Sequence, residues 1–339
     1  MKMKALLFST LASALVLTGC GGGNDAATEE GGSQAGAKTI KIANYFAADH
    51  SQNVALEEVF KPMVEEQSEG RLKVEIYENN QLGDEAAFTD GVRNGTIEMV
   101  IAGMGLQANN AKIGVTEWPY LLEDYDHANE ILNGPIGEEI AAEFEEFNVK
   151  PLGYTANGFR VVSADEELRT LEDFKGFRLR MPNVPIFLEV GEALGANVQA
   201  LGMSEVFTAL EQGVINGQEN PYASLVNSSW YEVQSHVLET NHMFSPNIYL
   251  MNMNFWDSLD PELQEIVEQA SEETAQYQWE LAVQSDDEMK EYLTEQGLEI
   301  IVLSEEERQQ FVDAMDPVYE KLFEKHDWAE ELVNRIREQ

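Results

Sequence analysis

Residues 39–77, TIKIANYFAADHSQNVALEEVFKPMVEEQSEGRLKVEIY, carry the pattern that sets the fold class. Positions 39–43 alternate apolar and polar side chains, the period of a half-buried strand, and 71–77 alternate again. Between them Asp49, His50 and Ser51 offer side chains that can cap a helix start. Val54, Leu56, Val59, Phe60 and Met63 then recur at the spacing of one helical face. Residues 86–93 read as a helix stopped near Gly95, and 97–102 as a buried strand. The order strand, helix, strand, helix, strand predicts an α/β fold on a mostly parallel sheet.

The pattern changes after Tyr154. Residues 159–162 and 177–181 are strand-like across a polar stretch at 163–173, helices are expected over 185–194 and 204–212, and a short strand at 197–200 separates them. Later strands are expected at 237–241 and 248–252. After Pro261, residues up to 294 contain neither Gly nor Pro and are rich in Glu, Gln and Ala, which predicts one or two long helices. A single helix of that length spans about 50 Å, more than one small lobe, so it would run along both. A body of about 300 residues also exceeds one typical domain. The expected division is 38–157 with about 246–285 in lobe I, and 158–245 with about 286–339 in lobe II. No internal repeat is present.

The chain of 339 residues has 62 acidic and 21 basic side chains and a formal charge of −41. Such a charge repels nucleic acid and anionic lipid, which excludes both as partners. Most of the acids, as on 262–273, belong to solvated helix faces. Against this background the segment 160–180 concentrates Arg160, Arg169, Lys175, Arg178 and Arg180, and no Lys or Arg follows until Lys290. An isolated cation in so acidic a chain is a candidate anion hook. Composition alone leaves Arg180 equally open to a surface ion pair with Glu172 or Asp173.

At the amino end Lys2 and Lys4 precede a largely apolar run at 5–17, the layout of a secretory signal rather than a spanning helix. Leu17-Thr18-Gly19-Cys20 resembles the lipobox of bacterial lipoproteins. The resemblance implies a signal peptide at 1–19, cleavage before Cys20, lipid on its thiol, and an exported protein held to the outer face of the cytoplasmic membrane by that anchor. Residues 20–37 are the flexible tether expected there. Removing the signal shifts the charge from −41 to −43 by loss of Lys2 and Lys4.

Nothing in the sequence asks for catalysis. The five histidines show no i, i+4 pair and no companion cysteines, so neither zinc nor another metal site is supported. No phosphate loop implies a nucleotide cofactor, and no G-x-S-x-G elbow occurs.

The informative constellation begins with Gly158-Phe159-Arg160, followed by Phe177-Arg178-Leu179-Arg180-Met181-Pro182. A long run through Gly202-Met203-Ser204-Glu205 ends in Gly217-Gln218-Glu219-Asn220-Pro221, with Tyr231-Glu232-Val233-Gln234 and Thr240-Asn241-His242 behind it. Together with Gln81-Leu82-Gly83 and Pro119-Tyr120-Leu121, this resembles the substrate-binding proteins of tripartite ATP-independent periplasmic (TRAP) transporters, the DctP family. The resemblance implies a periplasmic-binding-protein-like fold: two α/β lobes around a central cleft, a long bracing helix, and closure over an organic acid that is handed to small and large TRAP membrane subunits.

Carried over by position, Arg180 matches the arginine that pairs with the ligand carboxylate, Arg160 the second arginine, and Asn220 the amide that completes the site. Periodicity cannot choose between Arg178 and Arg180, which share a strand face; the motif chooses Arg180. Phe46, His50, Glu85, Gly103 and Trp118 are first-lobe pocket candidates, and Met203 stands where an aromatic often precedes the Ser-Glu pair. Sialic-acid binders of the family carry an acid where this chain has Gly103, which disfavours that ligand. A sugar acid (uronate or aldonate) ranks slightly above a C4-dicarboxylate. A sensor ectodomain serving a signalling partner and an exported enzyme acting on an acid are the rival functions.

Overall fold

The computed structural model describes residues 37–339; the expected signal peptide at 1–19, Cys20 and the expected tether up to residue 36 lie outside the described residues. Eleven strands are found among the described residues: β1 (Lys38–Ala43), β2 (Leu72–Tyr77), β3 (Met99–Ala102), β4 (Val149–Phe159), β5 (Val161–Ala164), β6 (Arg178–Met181), β7 (Asn197–Ala200), β8 (Gly217–Asn220), β9 (His236–Glu239), β10 (Phe244–Asn252) and β11 (Glu299–Val302). They form two sheets, one of order β2-β1-β3-β10-β4 and one of order β11-β9-β5-β8-β6-β7. This is the two-lobe α/β architecture expected, with a sheet at the heart of each lobe.

The opening segment folds as its periodicity requires. β1 pairs in parallel with β2 and β3, and Ile40 and Ile42 point inward with no exposure. The His50 side chain caps the helix Ser51–Ala55 by accepting from Gln52 N, and Asp84 caps Glu85–Asn94 by accepting from Ala87 N. β10 then enters antiparallel between β3 and β4, so the first sheet is mixed rather than mostly parallel.

Three connections carry the chain between the sheets. β4 ends at Phe159 and β5 starts at Val161, so residues 159–162, expected as one strand, are the crossing itself, and Arg160 is its single linking residue. The return runs from β9 to β10 through Thr240, Asn241, His242 and Met243, where Arg160 N donates to Met243 O at 2.9 Å. A third link is the helix Pro261–Glu295, one uninterrupted element of 35 residues, capped by Asp260 with Pro261 in its first turn. Its Leu263, Ile266, Val267 and Ala270 pack on the first-lobe core, and Leu293 packs with Val161, Ile215 and Leu225 in the second. Gln278, fully buried, accepts from Ala156 N at 2.8 Å and donates to Ala156 O at 2.7 Å. A polar residue in the buried stripe therefore pins the helix to β4 two residues before Gly158.

Candidate functional site

The second sheet brings the motif residues together through register. β6 and β8 run parallel with Arg180 opposite Gln218, and β5 opposes β8 with Val161 opposite Asn220. Arg180, Gln218 and Asn220 consequently share one face, and Arg160 reaches β8 from the crossing through Glu219, the residue between Gln218 and Asn220. β8 approaches β5 so closely that a Cβ at Gly217 would lie 2.2 Å from Ser163 O, which leaves glycine as the residue that fits.

The two arginines differ in their partners. Arg160, 4% exposed, is clamped onto Glu219: Nε donates to Oε2 at 2.5 Å, and Nη2 donates to Oε1 at 2.9 Å and to the Glu219 carbonyl at 2.8 Å. Nη1 donates to Ser245 Oγ at 3.2 Å, and the guanidinium lies 4.9 Å from the Phe187 ring centroid. Four of its five N–H groups are thus engaged. Glu219 has no exposure and also meets His242 Nε2 at 3.2 Å. Burial alone would raise the Glu219 pKa; Arg160 and His242 outweigh it and hold the carboxylate below its ordinary value.

Arg180 is as buried as Arg160, yet among the described residues it forms no ion pair. Its Nε and Nη2 both donate to Leu201 O, at 2.9 and 2.7 Å. Nη1 makes no hydrogen bond to the described residues. Burial pushes its pKa down to about 10, against the attraction of Glu219, so it remains a cation at neutral pH. Asn220, 5% exposed, donates to Gln218 Oε1 at 2.7 Å, and Gln218 in turn donates to Ser163 Oγ at 2.8 Å. A buried guanidinium with donors left over and no ion pair among the described residues has the chemistry to accept an anion.

The first-lobe candidates divide. Gly103 N donates to Glu85 Oε1 at 2.8 Å, and Asn247 Nδ2 donates to Tyr45 Oη at 2.7 Å, which places Glu85, Gly103, Tyr45 and Asn247 together. The Phe46 ring lies tilted against the Tyr45 and His50 rings, with centroids 4.3 and 4.2 Å away. Burial drives His50 down to about 3, so its ring is neutral, and His50 Nε2 and Asn157 Oδ1 are buried without hydrogen-bond partners among the described residues. Trp118 instead packs against Tyr319 and Trp328. Met203 is partly buried near Leu201, whose carbonyl holds Arg180. Arg178 is spent on the carbonyls of Val214 and Gly213.

Sequence reasoning missed Glu219 as the partner of Arg160, and it missed Glu117. The latter, 4% exposed, accepts from Gln107 Nε2 at 2.6 Å. Burial raises it to about 8, opposed by Arg160 and the Gln107 bond. A cavity of about 330 Å³ bordered by Tyr125, Phe159, Tyr222 and Asp286, and another of about 460 Å³ near Arg93 and Phe147, are lined by neither arginine. Arg160 lies instead at the crossing between the sheets and Arg180 on β6 of the second sheet, both among buried side chains. Among the described residues no cluster of three His, Cys, Asp or Glu side chains would hold a metal, and no helix is long and apolar enough to cross a membrane.

Two lobes joined by crossing strands, with a buried arginine on β6 that has no ion pair among the described residues, define a binding protein for a small anionic solute. The chain belongs to the DctP family, bacterial extracellular solute-binding protein family 7, whose model matches residues 42–326. It is 41% identical to an uncharacterised protein of Haemophilus influenzae over 90% of this chain and 94% of that one. A TRAP periplasmic solute-binding protein of the same species, solved with bound L-gulonate, superposes with a TM-score of 0.87 at 40% identity, covering 89% of this chain and 99% of that chain. The 2,3-diketo-L-gulonate-binding periplasmic protein YiaO of Escherichia coli is 29% identical over 85% of this chain and 88% of its own. The chain is therefore a TRAP transporter solute-binding protein, of a family of extracellular or periplasmic receptors rather than enzymes, which bind small organic acids and work with a membrane transporter complex.

Proposed function

We propose that this receptor captures a sugar acid, an aldonate or uronate, and delivers it to small and large TRAP membrane subunits. The observation that carries the proposal is Arg180: fully enclosed, charged, and without an anionic partner among the described residues. Its free N–H groups match two carboxylate oxygens, the remaining Arg160 N–H and the Asn220 amide complete the cradle, and Glu219 keeps Arg160 from moving. Relatives that take L-gulonate and 2,3-diketo-L-gulonate favour the sugar acid over the C4-dicarboxylate.

The proposed lobes are 38–157 with about 246–285, and 158–245 with about 286–339, closing on the ligand about the Arg160 crossing. Cys20 is proposed as the lipid attachment site that tethers the receptor outside the cytoplasmic membrane. Mass spectrometry of the protein recovered from membranes tests the anchor; an unmodified Cys20 refutes it. A thermal-shift screen of uronates, aldonates and C4-dicarboxylates tests the ligand class. Stabilisation by sugar acids is the expected result, and an unchanged Tm with every acid refutes the assignment.

A further inference from the structure

The arginine side of the site supplies one uncompensated positive charge. Arg160 is neutralised by Glu219 and Arg180 is not, so the site has the charge to hold one carboxylate. The first-lobe groups nearest Arg160 include carboxyl groups. Glu85 Oε1 is fixed by the Gly103 N–H at 2.8 Å, and Glu117 Oε2 by Gln107 at 2.6 Å. Glu85 Oε2 and Glu117 Oε1 have no donor among the described residues. Both carboxyls lie within electrostatic reach of Tyr45, and Glu117 also within reach of Arg160. Tyr45 Oη accepts from Asn247, so its own proton remains available to a ligand oxygen.

We infer that Glu85 and Glu117, with Tyr45 beside them, form an acceptor wall that selects hydroxylated monocarboxylates and rejects a second carboxylate. A sugar hydroxyl can donate to the free oxygen of either carboxyl group. A second carboxylate placed against Glu85 would bring two carboxyl groups together with no Lys or Arg bonded to Glu85 among the described residues, at the cost of repulsion or of a bound proton in an enclosed setting. Glycine at 103 keeps this wall open, since a Cβ there would lie 3.0 Å from Glu85 Oε1.

The inference rests on the assignment of Arg180 as the carboxylate hook, and titration calorimetry separates the two. The probes are L-gulonate and D-glucarate, sugar acids of equal chain length with one and two carboxylates. Wild-type protein is expected to bind L-gulonate at least about tenfold more tightly, a difference of about 1.4 kcal/mol. Glu85→Gln keeps an acceptor for Gly103 N–H and should narrow that ratio at least about fivefold, with Glu85→Ala as the parallel variant should Glu85→Gln not fold. D-glucarate binding wild type within about threefold of L-gulonate, or a ratio unmoved in a folded variant, overturns the acceptor wall and leaves Arg180 standing. Binding of neither acid overturns both.

Discussion

Arg160 and Arg180 look alike in the sequence and do different work in the fold. Arg160 answers a buried carboxylate, and removing it leaves Glu219 charged, unexposed and paired only with the His242 ring. Arg160→Ala is therefore expected to cost about 3–5 kcal/mol of folding stability, measured by urea denaturation; a loss below about 1 kcal/mol would show that Glu219 is not held as described. Arg180 was legible because it is the last cation before a long acidic stretch and sits in a recognisable motif. Glu219 was not, being one of 62 acids whose pairing is set by strand register. Glu117 was invisible for the same reason: its environment is assembled from Gln107 and Arg160, far apart in sequence. Its folded pKa near 8 lies above the ordinary 4.5, so the fold favours the protonated form. That contribution to stability is complete below about pH 4.5 and is lost as pH rises through about 8. Glu117→Gln should flatten the decline in Tm between pH 5 and 8, and a variant curve parallel to wild type would refute the assignment.

At the scale of elements, segments with strong local signals formed as their patterns require. The strand 197–200 has the expected limits, the helix expected at 185–194 is found at Pro185–Ala193, and the long helix was legible from an absence of breakers. β8 escaped notice because Gly217-Gln218-Glu219-Asn220 has poor strand propensity. It is a strand because its neighbours supply partners: Gln218 bonds Ser163, Asn220 bonds Gln218, and Glu219 takes Arg160. Functional polarity overrides propensity there, and only tertiary context reveals it. Gly217→Ala should force β8 and β5 apart, because the added carbon meets a backbone oxygen rather than a flexible side chain. A loss of about 1–3 kcal/mol is expected in urea denaturation, together with weaker acid binding, since Asn220 and Gln218 ride on that strand. Unchanged stability would mean that the sheet is more compliant than its register implies.

Over the whole molecule two electrostatic ranges oppose each other. Residues 20–339 carry a formal charge of −43 and repel an anionic solute at a distance, whereas the proposed Arg180 contact attracts it. Salt screens the former over about 10 Å at 0.1 M and hardly touches the latter. The association rate of a sugar acid, followed by stopped flow, is expected to rise modestly with salt at low ionic strength; a steep fall would show that the local field of the cleft dominates at every distance. The most direct measurement is titration calorimetry of L-gulonate against wild type and Arg180→Ala, with thermal melting of both. The expected result is an intact fold and an affinity loss of about 2–5 kcal/mol, whereas unchanged affinity in a folded Arg180→Ala variant would contradict the carboxylate hook outright.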